Sequence, residues 1–296
     1  MRWLAYLLVV LLHSPLLLAL PHDSSGLSPA LPNAHRPNWF GISYAPYNDD
    51  GTCKSQDQIH HDMGILKHYG FVRIYGVDCD MTRRVVAAAR PRDLRVFAGV
   101  YDLQNFPDSL NPIIEAAAGD WSVFHTISVG NELVNKGHNP AEVAAAVNVA
   151  RDRLRAAGYQ GPVVTVDTFS VLLRHPELCH ASDYCAANCH AFFDANQTPD
   201  TAGAYVLDQA NRIAAANGGK RTVITESGWP HRGQANGHAV PNLINQQKAV
   251  FSLADKFYHR PDDFVLFSAF DDLWKKDHPG TFEAEKYWGI ATISPQ

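Results

Sequence analysis

The sequence predicts a single (β/α)8 barrel, and three observations carry that expectation. Eight short β-rich runs alternate with stretches of helical periodicity, the pattern of a parallel sheet whose strands are joined by helices. The part of the chain that bears this pattern, 39–296, is roughly 258 residues, the size of such a barrel. An open doubly wound sheet, the second choice, usually advertises a phosphate turn early on, and no G-x-G-x-x-G or G-x-x-x-x-G-K-[ST] occurs here.

Taken in order, the first strand is WFGISY at 39–44, followed by a helix over 56–69. FVRIYGV at 71–77 is the second strand and 82–89 its helix; LRVFAGVY at 94–101 is the third, followed by 110–118. FHTISVG at 124–130 is the fourth. The helix after it, 140–157, has the clearest start in the chain: Asn139 as cap, Pro140 in the first turn and Glu142 three residues past the cap. PVVTVDTF at 162–169 and YCAANCHAF at 184–192 read as strands five and six, with a helix over 201–217. RTVITE at 221–226, a helix over 243–259 and FVLFSAF at 264–270 complete the set. The strands are rich in β-branched and aromatic residues, and the helices carry apolar residues at helical spacing.

Ahead of this domain lies MRWLAYLLVVLLHSPLLLAL, one Arg and then an apolar run interrupted by His13, Ser14 and Pro15 and ending at Ala19. That is the pattern of a signal peptide over 1–20 rather than a spanning helix, which needs about 20 uninterrupted apolar residues. Residues 21–38, rich in Pro, Ser, Asn and His without periodicity, read as a flexible leader. The expected mature protein is secreted, extracellular or in a cell wall, with no membrane attachment after cleavage. No Ser/Thr-rich stalk or C-terminal apolar tail indicates a lipid anchor. With 46% hydrophobic and 19% charged residues the chain can bury a core, which excludes disorder. A net charge of −5 gives no basic surface for nucleic acid.

The 5 Cys stand at 53, 79, 179, 185 and 189, and a secretory route makes disulfides the expected state. Cys53 and Cys79 fall in neighbouring loops after strands one and two, where a bridge is reasonable. Cys185 and Cys189 lie on one side of strand six, about 13 Å apart by strand rise, too far to bond each other. Cys179 can reach either; Cys189 is the preferred partner, leaving Cys185 free. A zinc site in the Cys179–His190 region is disfavoured because the spacing lacks a Cys-x-x-Cys knuckle. No metal or other cofactor is expected.

In a barrel, chemistry gathers where strands end at their carboxyl side. Glu132 closes the fourth strand and Glu226 the seventh, so the two face each other across the barrel mouth. A carboxylate ending an apolar strand is costly unless something exploits it. Paired carboxylates are what glycosidic cleavage requires: one protonates the leaving oxygen while the other attacks the anomeric carbon or activates water. Trp229, Trp274, Phe192, Phe193 and Tyr47 lie near strand ends, where flat rings can stack on sugar faces. His190 sits on the inward parity of strand six. A serine hydrolase is excluded by the lack of G-x-S-x-G.

The stretch TVITESGWP resembles the signature of glycoside hydrolase family 17, the endo-β-1,3-glucanases and related β-1,3-glucan-modifying enzymes. GISYAPYNDDGTC, VRIYGVDC, VGNE, AANCHAFFD and AFDDLWKK…EKYWGI extend the similarity from Trp39 to Ile290, and the wording is nearest to fungal secreted and cell-wall members. The resemblance implies a retaining barrel enzyme acting on β-1,3-glucan, with Glu132 as acid/base and Glu226 as nucleophile. It implies that Asn131 bonds the hydroxyl beside the anomeric carbon and that Tyr75 stands near the nucleophile. Lys275 and Glu285, joined by Asp272, resemble a polar group near the acid/base. His231-Arg232-Gly233 departs from the family, where a small Ser or Thr often follows Trp-Pro; this bears on the cleft lip. Hydrolysis and glucanosyl transfer share one covalent intermediate, and the sequence leaves both open, together with a glucan-binding wall protein without turnover.

Overall fold

In a computed structural model that describes residues 40–291, eight parallel strands pair in chain order and the eighth returns to the first, closing a barrel. They are β1 Gly41–Ser43, β2 Phe71–Arg73, β3 Arg95–Val100, β4 Phe124–Asn131, β5 Val163–Thr168, β6 Cys185–Asn188, β7 Thr222–Ser227 and β8 Phe264–Leu266. The helices are α1 Gln56–Leu66, α2 Met81–Ala89, α3 Asn111–Ala117, α4 Pro140–Ala156, α5 Phe169–Arg174, α6 Pro176–Ala181, α7 Ala202–Ala216 and α8 Leu243–Phe257. The single (β/α)8 barrel expected from the sequence is what forms. The signal peptide and leader fall outside the described residues. Among the described residues no helix is long and apolar enough to cross a membrane.

Alternation along each strand sorts the side chains. One parity points into the barrel, where Phe71, Phe97, Val164, Val166, Tyr184, Ala186, Val223 and Val265 form a buried plug. The other parity, with Val72, Ile74, Val96, Ala98, Ile127 and Val129, packs outward against Ile59, Met63, Val85, Ile113, Val143 and Val147 of the helices. The plug fills the lower barrel, so only the carboxyl ends of the strands are left to form a cleft. Gly41 belongs to this packing: a Cβ there would stand 2.4 Å from the Phe71 ring.

Local signals set the helix starts. Ser55 and Gln58 form a reciprocal capping box on α1. Asn139 accepts from the Ala141 amide at 2.8 Å ahead of Pro140, the start read from the sequence, and Asn242 caps α8 through the Asn245 amide. Between strands five and six, where the sequence predicts no helix, α5 and α6 form. Each has only six residues, too few for periodicity to register, and Pro176 separates them. Strand six ends at Asn188 rather than 192, because Ala191–Phe193 turn into a 3-10 helix.

Cys53 and Cys79 are bonded as expected. The second bridge corrects the expected pairing: Cys179 bonds Cys185, with Cα atoms 4.7 Å apart, and Cys189 is the free, buried cysteine. Cys179 lies on α6, whose end feeds the start of β6, so the residue at that start is adjacent to it. Cys189 lies a full strand length away, past the opposite end of β6. Peptide mapping without reductant is expected to recover the 53–79 and 179–185 links. Iodoacetamide should label nothing in the native protein and one site, Cys189, after unfolding; a 179–189 link would contradict this pairing.

Candidate active site

The carboxyl ends of the strands surround a cleft of about 1300 Å³ lined by Glu132 and Glu226. Glu132 follows β4, where the register with β5 shifts between Ser128 and Asn131. Gly130 at φ 84 and Glu132 at φ 57 take left-handed conformations through that irregularity, and the Glu132 amide is pinned to the Val166 carbonyl at 2.8 Å. A side chain at Gly130 would meet Leu133 at 2.4 Å as well as the positive φ, so only glycine lets the strand turn the next carboxylate into the cleft. Glu226 sits within β7, whose register shifts against both β6 and β8. Those shifts let Thr225 and Glu226, consecutive residues, both reach the group beneath the cleft floor.

That group is Arg73, on the inward parity of β2 and 1% exposed. Its Nη1 donates to Glu226 Oε1 at 2.9 Å, to the Thr225 carbonyl at 2.8 Å and to Asn188 Oδ1 at 3.1 Å; Nη2 donates to Asn131 Oδ1 at 2.8 Å. Asn188 in turn donates to Glu132 Oε1 at 2.9 Å, so one guanidinium and one amide connect the two carboxylates. His190 Nε2 lies 3.3 Å from Glu226 Oε2.

The two carboxylates are driven apart in acidity. Burial, and then the negative charge of Glu226, raise Glu132 above the ordinary carboxylate value; the Asn188 hydrogen bond opposes this only in part. Burial pushes Glu226 the same way, but the Arg73 charge, then His190 and the Tyr75 hydroxyl, outweigh it and bring its pKa down to about 2. Burial first, and the Glu226 charge after it, keep the Tyr75 phenol protonated.

Tyr75, Asn131, His190, Asp272, Lys275 and Glu285 all line the cleft with the two Glu. Lys275 Nζ is 3.0 Å from Asp272 Oδ2; burial lowers its pKa, but the charges of Asp272, Glu285 and Glu226 outweigh this and favour its charged form. Phe192 and Trp229 do not belong to the lining. Phe192 is fully buried against Trp229, Phe282 and Trp288, and Trp229 is buried with its Nε1 donating to the Val240 carbonyl. The next residue, Phe193, is 43% exposed and does line the cleft, as do Tyr47 and Trp274. His231, the departure from the family pattern, lies outside the lining and bonds Asp271 at 2.9 Å, tying the loop after β7 to the segment after β8.

Sequence reasoning missed Arg73, Asn188, Trp288 and Lys136, the last lining the cleft with its Nζ donating to the Tyr101 hydroxyl at 2.8 Å. An Arg within an otherwise apolar strand, two residues before Tyr75 and so on its face, was a readable signal for the first. Trp288 packs edge-on to His190 at 4.9 Å and gave no signal beyond its place in the last similar block. Among the described residues no group of three or more His, Cys, Asp or Glu could hold a metal ion.

The sequence is similar to the cell surface mannoprotein MP65 of Candida albicans, 45% identical over 84% of this chain, and to the probable family 17 glucosidase SCW10 of Saccharomyces cerevisiae, 43% identical over 84%. These stretches span 66% and 64% of the relatives, which are longer proteins. Probable β-glucosidase btgE of Aspergillus fumigatus is 36% identical, with 44% of its length covered. In fold the chain resembles a β-1,3-glucanosyltransferase of Rhizomucor miehei, an active-site mutant in complex with laminaritriose. The TM-score is 0.70 at 23% identity, over 85% of this chain and 92% of that one. Over residues 41–289 the sequence matches the BtgE/BtgC glycoside hydrolase domain, and the chain belongs to that family.

Proposed function

We propose that this protein cleaves β-1,3-glucan with retention, Glu226 as nucleophile and Glu132 as acid/base. One observation carries the reading: two carboxylates line one cleft, linked through Arg73 and Asn188, and their surroundings raise the proton affinity of Glu132 and lower that of Glu226. In the first step Glu226 attacks the anomeric carbon while Glu132 gives its proton to the departing glycosidic oxygen. The ester that forms has no charge on Glu226. The main electrostatic cause of the raised Glu132 pKa then disappears, and Glu132, now ionised, takes a proton from the incoming acceptor as it displaces Glu226. Water as acceptor gives hydrolysis; a glucan hydroxyl gives transfer. Asn131 Oδ1 is occupied by Arg73 and Asn188, while its Nδ2 has no partner among the described residues and is free to donate to a sugar hydroxyl.

The substrate reading is supported by the family 17 glucosidase among the relatives and by the β-1,3-glucanosyltransferase that binds laminaritriose. Two disulfides and a cell surface mannoprotein among the relatives support secretion to the cell exterior or wall. Asp272, Lys275, Glu285, Tyr75 and His190 contact or orient the sugar and the nucleophile in this reading; Phe192 and Trp229 only support the wall behind Phe193.

Replacement of Glu226 or Glu132 by Gln is expected to lower release of sugar from laminarin by at least about 10²-fold, with folding unchanged by circular dichroism. A Glu226→Gln protein with undiminished activity would sink the assignment. Product sizing on a defined oligosaccharide separates the two outcomes of the intermediate, since transfer yields chains longer than the substrate.

The pH dependence follows from the two shifts. Activity needs Glu226 ionised and Glu132 protonated, so kcat/KM rises through the low pKa of Glu226 and falls through the raised pKa of Glu132. In Arg73→Met the burial of Glu226 is opposed only by His190 and Tyr75, and its pKa rises. The neutral Glu226 no longer raises Glu132, so the window closes from both sides. The same pair stabilises the fold fully above about 4.5 and loses that contribution as pH falls through about 2. Arg73→Met should therefore cost about 3–5 kcal/mol near neutral pH and less in acid. An acid limb that stays in place in this variant would contradict the role given to Arg73.

A further inference from the structure

One wall of the cleft is braced by covalent chemistry. Tyr47, in the loop after β1, and Trp274, after β8, meet with ring centroids 4.8 Å apart at 56° and line the cleft. The Tyr47 hydroxyl donates to Asp78 Oδ2 at 2.7 Å. The Tyr47 backbone pairs antiparallel with Cys53, and Cys53 is bonded to Cys79, the neighbour of Asp78. The circuit is closed: ring, Asp78, Cys79, disulfide, Cys53 and back to Tyr47. The turn in this circuit is strained, with Cys79 at φ 56 and Asp80 at φ 53, conformations a non-glycine residue keeps only where its surroundings impose them. On the other ring, Trp274 Nε1 donates to Asp272 Oδ1 at 3.2 Å, and Asp272 holds Lys275.

Among the described residues neither ring has a hydrogen bond or ring contact with Glu132, Glu226, Asn131 or His190. Two rings with their polar edges tied down present an angled apolar surface in a cleft otherwise rich in carboxylates and hydroxyls. The C–H face of a pyranose stacks on such a surface. We propose that Tyr47 and Trp274 form a stacking platform for a glucose unit remote from the bond being cleaved, and that the Cys53–Cys79 disulfide holds this platform in place. The platform serves chain length and not the chemical step. The proposal rests on the glucan-cleaving reading of the Glu pair.

The test compares the native sequence with Tyr47→Ala, Tyr47→Phe, Trp274→Ala and the double variant Cys53→Ser/Cys79→Ser on β-1,3-gluco-oligosaccharides of increasing length. On the longest oligomers Tyr47→Ala and the double variant should lose about tenfold in kcat/KM through KM, with kcat and the shortest cleaved oligomer unaffected; Trp274→Ala, which also releases Asp272, should show the same length-dependent loss. Tyr47→Phe, which keeps the ring and loses the Asp78 bond, should fall between. A length profile for Tyr47→Ala that superposes on the native one, or drops equally at every length, overturns the platform. A Tyr47→Phe protein indistinguishable from native overturns the bracing, and this arm stands even where the double Cys variant does not fold. Titration of the same oligomers followed by tryptophan fluorescence needs no turnover. Weaker binding of long oligomers by Tyr47→Ala in a protein that cleaves nothing would support the platform and remove the catalytic reading, so the two fail separately.

Discussion

The Arg73 guanidinium lies between the apolar plug of the barrel and the cleft floor, its plane over the rings of Tyr75 and Phe97 at 4.5 and 5.5 Å. A cation so deep in a protein is costly unless its hydrogen bonds and an opposite charge are supplied on site. Strands β4, β6 and β7 supply them together: Glu226 gives the charge, and Asn131, Asn188 and the Thr225 carbonyl take further donors. The fork of the guanidinium suits this task, since it reaches several acceptors at fixed angles where an ammonium would not. Closure of the barrel is what brings residues 115 and 153 positions away in sequence onto one side chain.

From that interaction the asymmetry of the site follows. Glu132 and Glu226 are the same residue, one half-buried and one buried, and only Glu226 has a guanidinium against it. The ionised Glu226 then acts back on Glu132, raising its proton affinity, while Asn188 limits how far that goes. The buried Arg therefore shifts two proton affinities at once, one directly and one through its partner. The register shifts in β4 and β7 matter for the same reason: regular strands would alternate, and consecutive residues such as Thr225 and Glu226 would not both reach the floor.

Much of this is legible in the sequence. Eight short β-rich runs and the helical stretches between them specify a barrel, because a parallel sheet with helical crossovers of this number closes. Glu132 and Glu226 stood out because a charge at the end of an apolar strand needs a reason. Asn139 with Pro140 marked a helix start through local chemistry alone. Where a signal depended on neighbours distant in sequence it faded. Phe192 and Phe193 are equivalent as text; the 3-10 turn after β6 sends one into the core and the other to the cleft. The Cys179 partner was misjudged because nothing local marks α6, and α6 decides which end of β6 lies beside it.

The sequence by itself determined the eight strands, six of the helices, their order and the two carboxylates, because periodicity and end signals are properties of short segments. The tertiary structure alone decided the environment of those carboxylates. It chose Arg73 and Asn188 as their partners, Phe193 over Phe192 for the wall, and Cys185 over Cys189 for the bridge. Each of these depends on distances across a closed barrel, and desolvation and Coulomb energy are set by such distances and not by position along the chain.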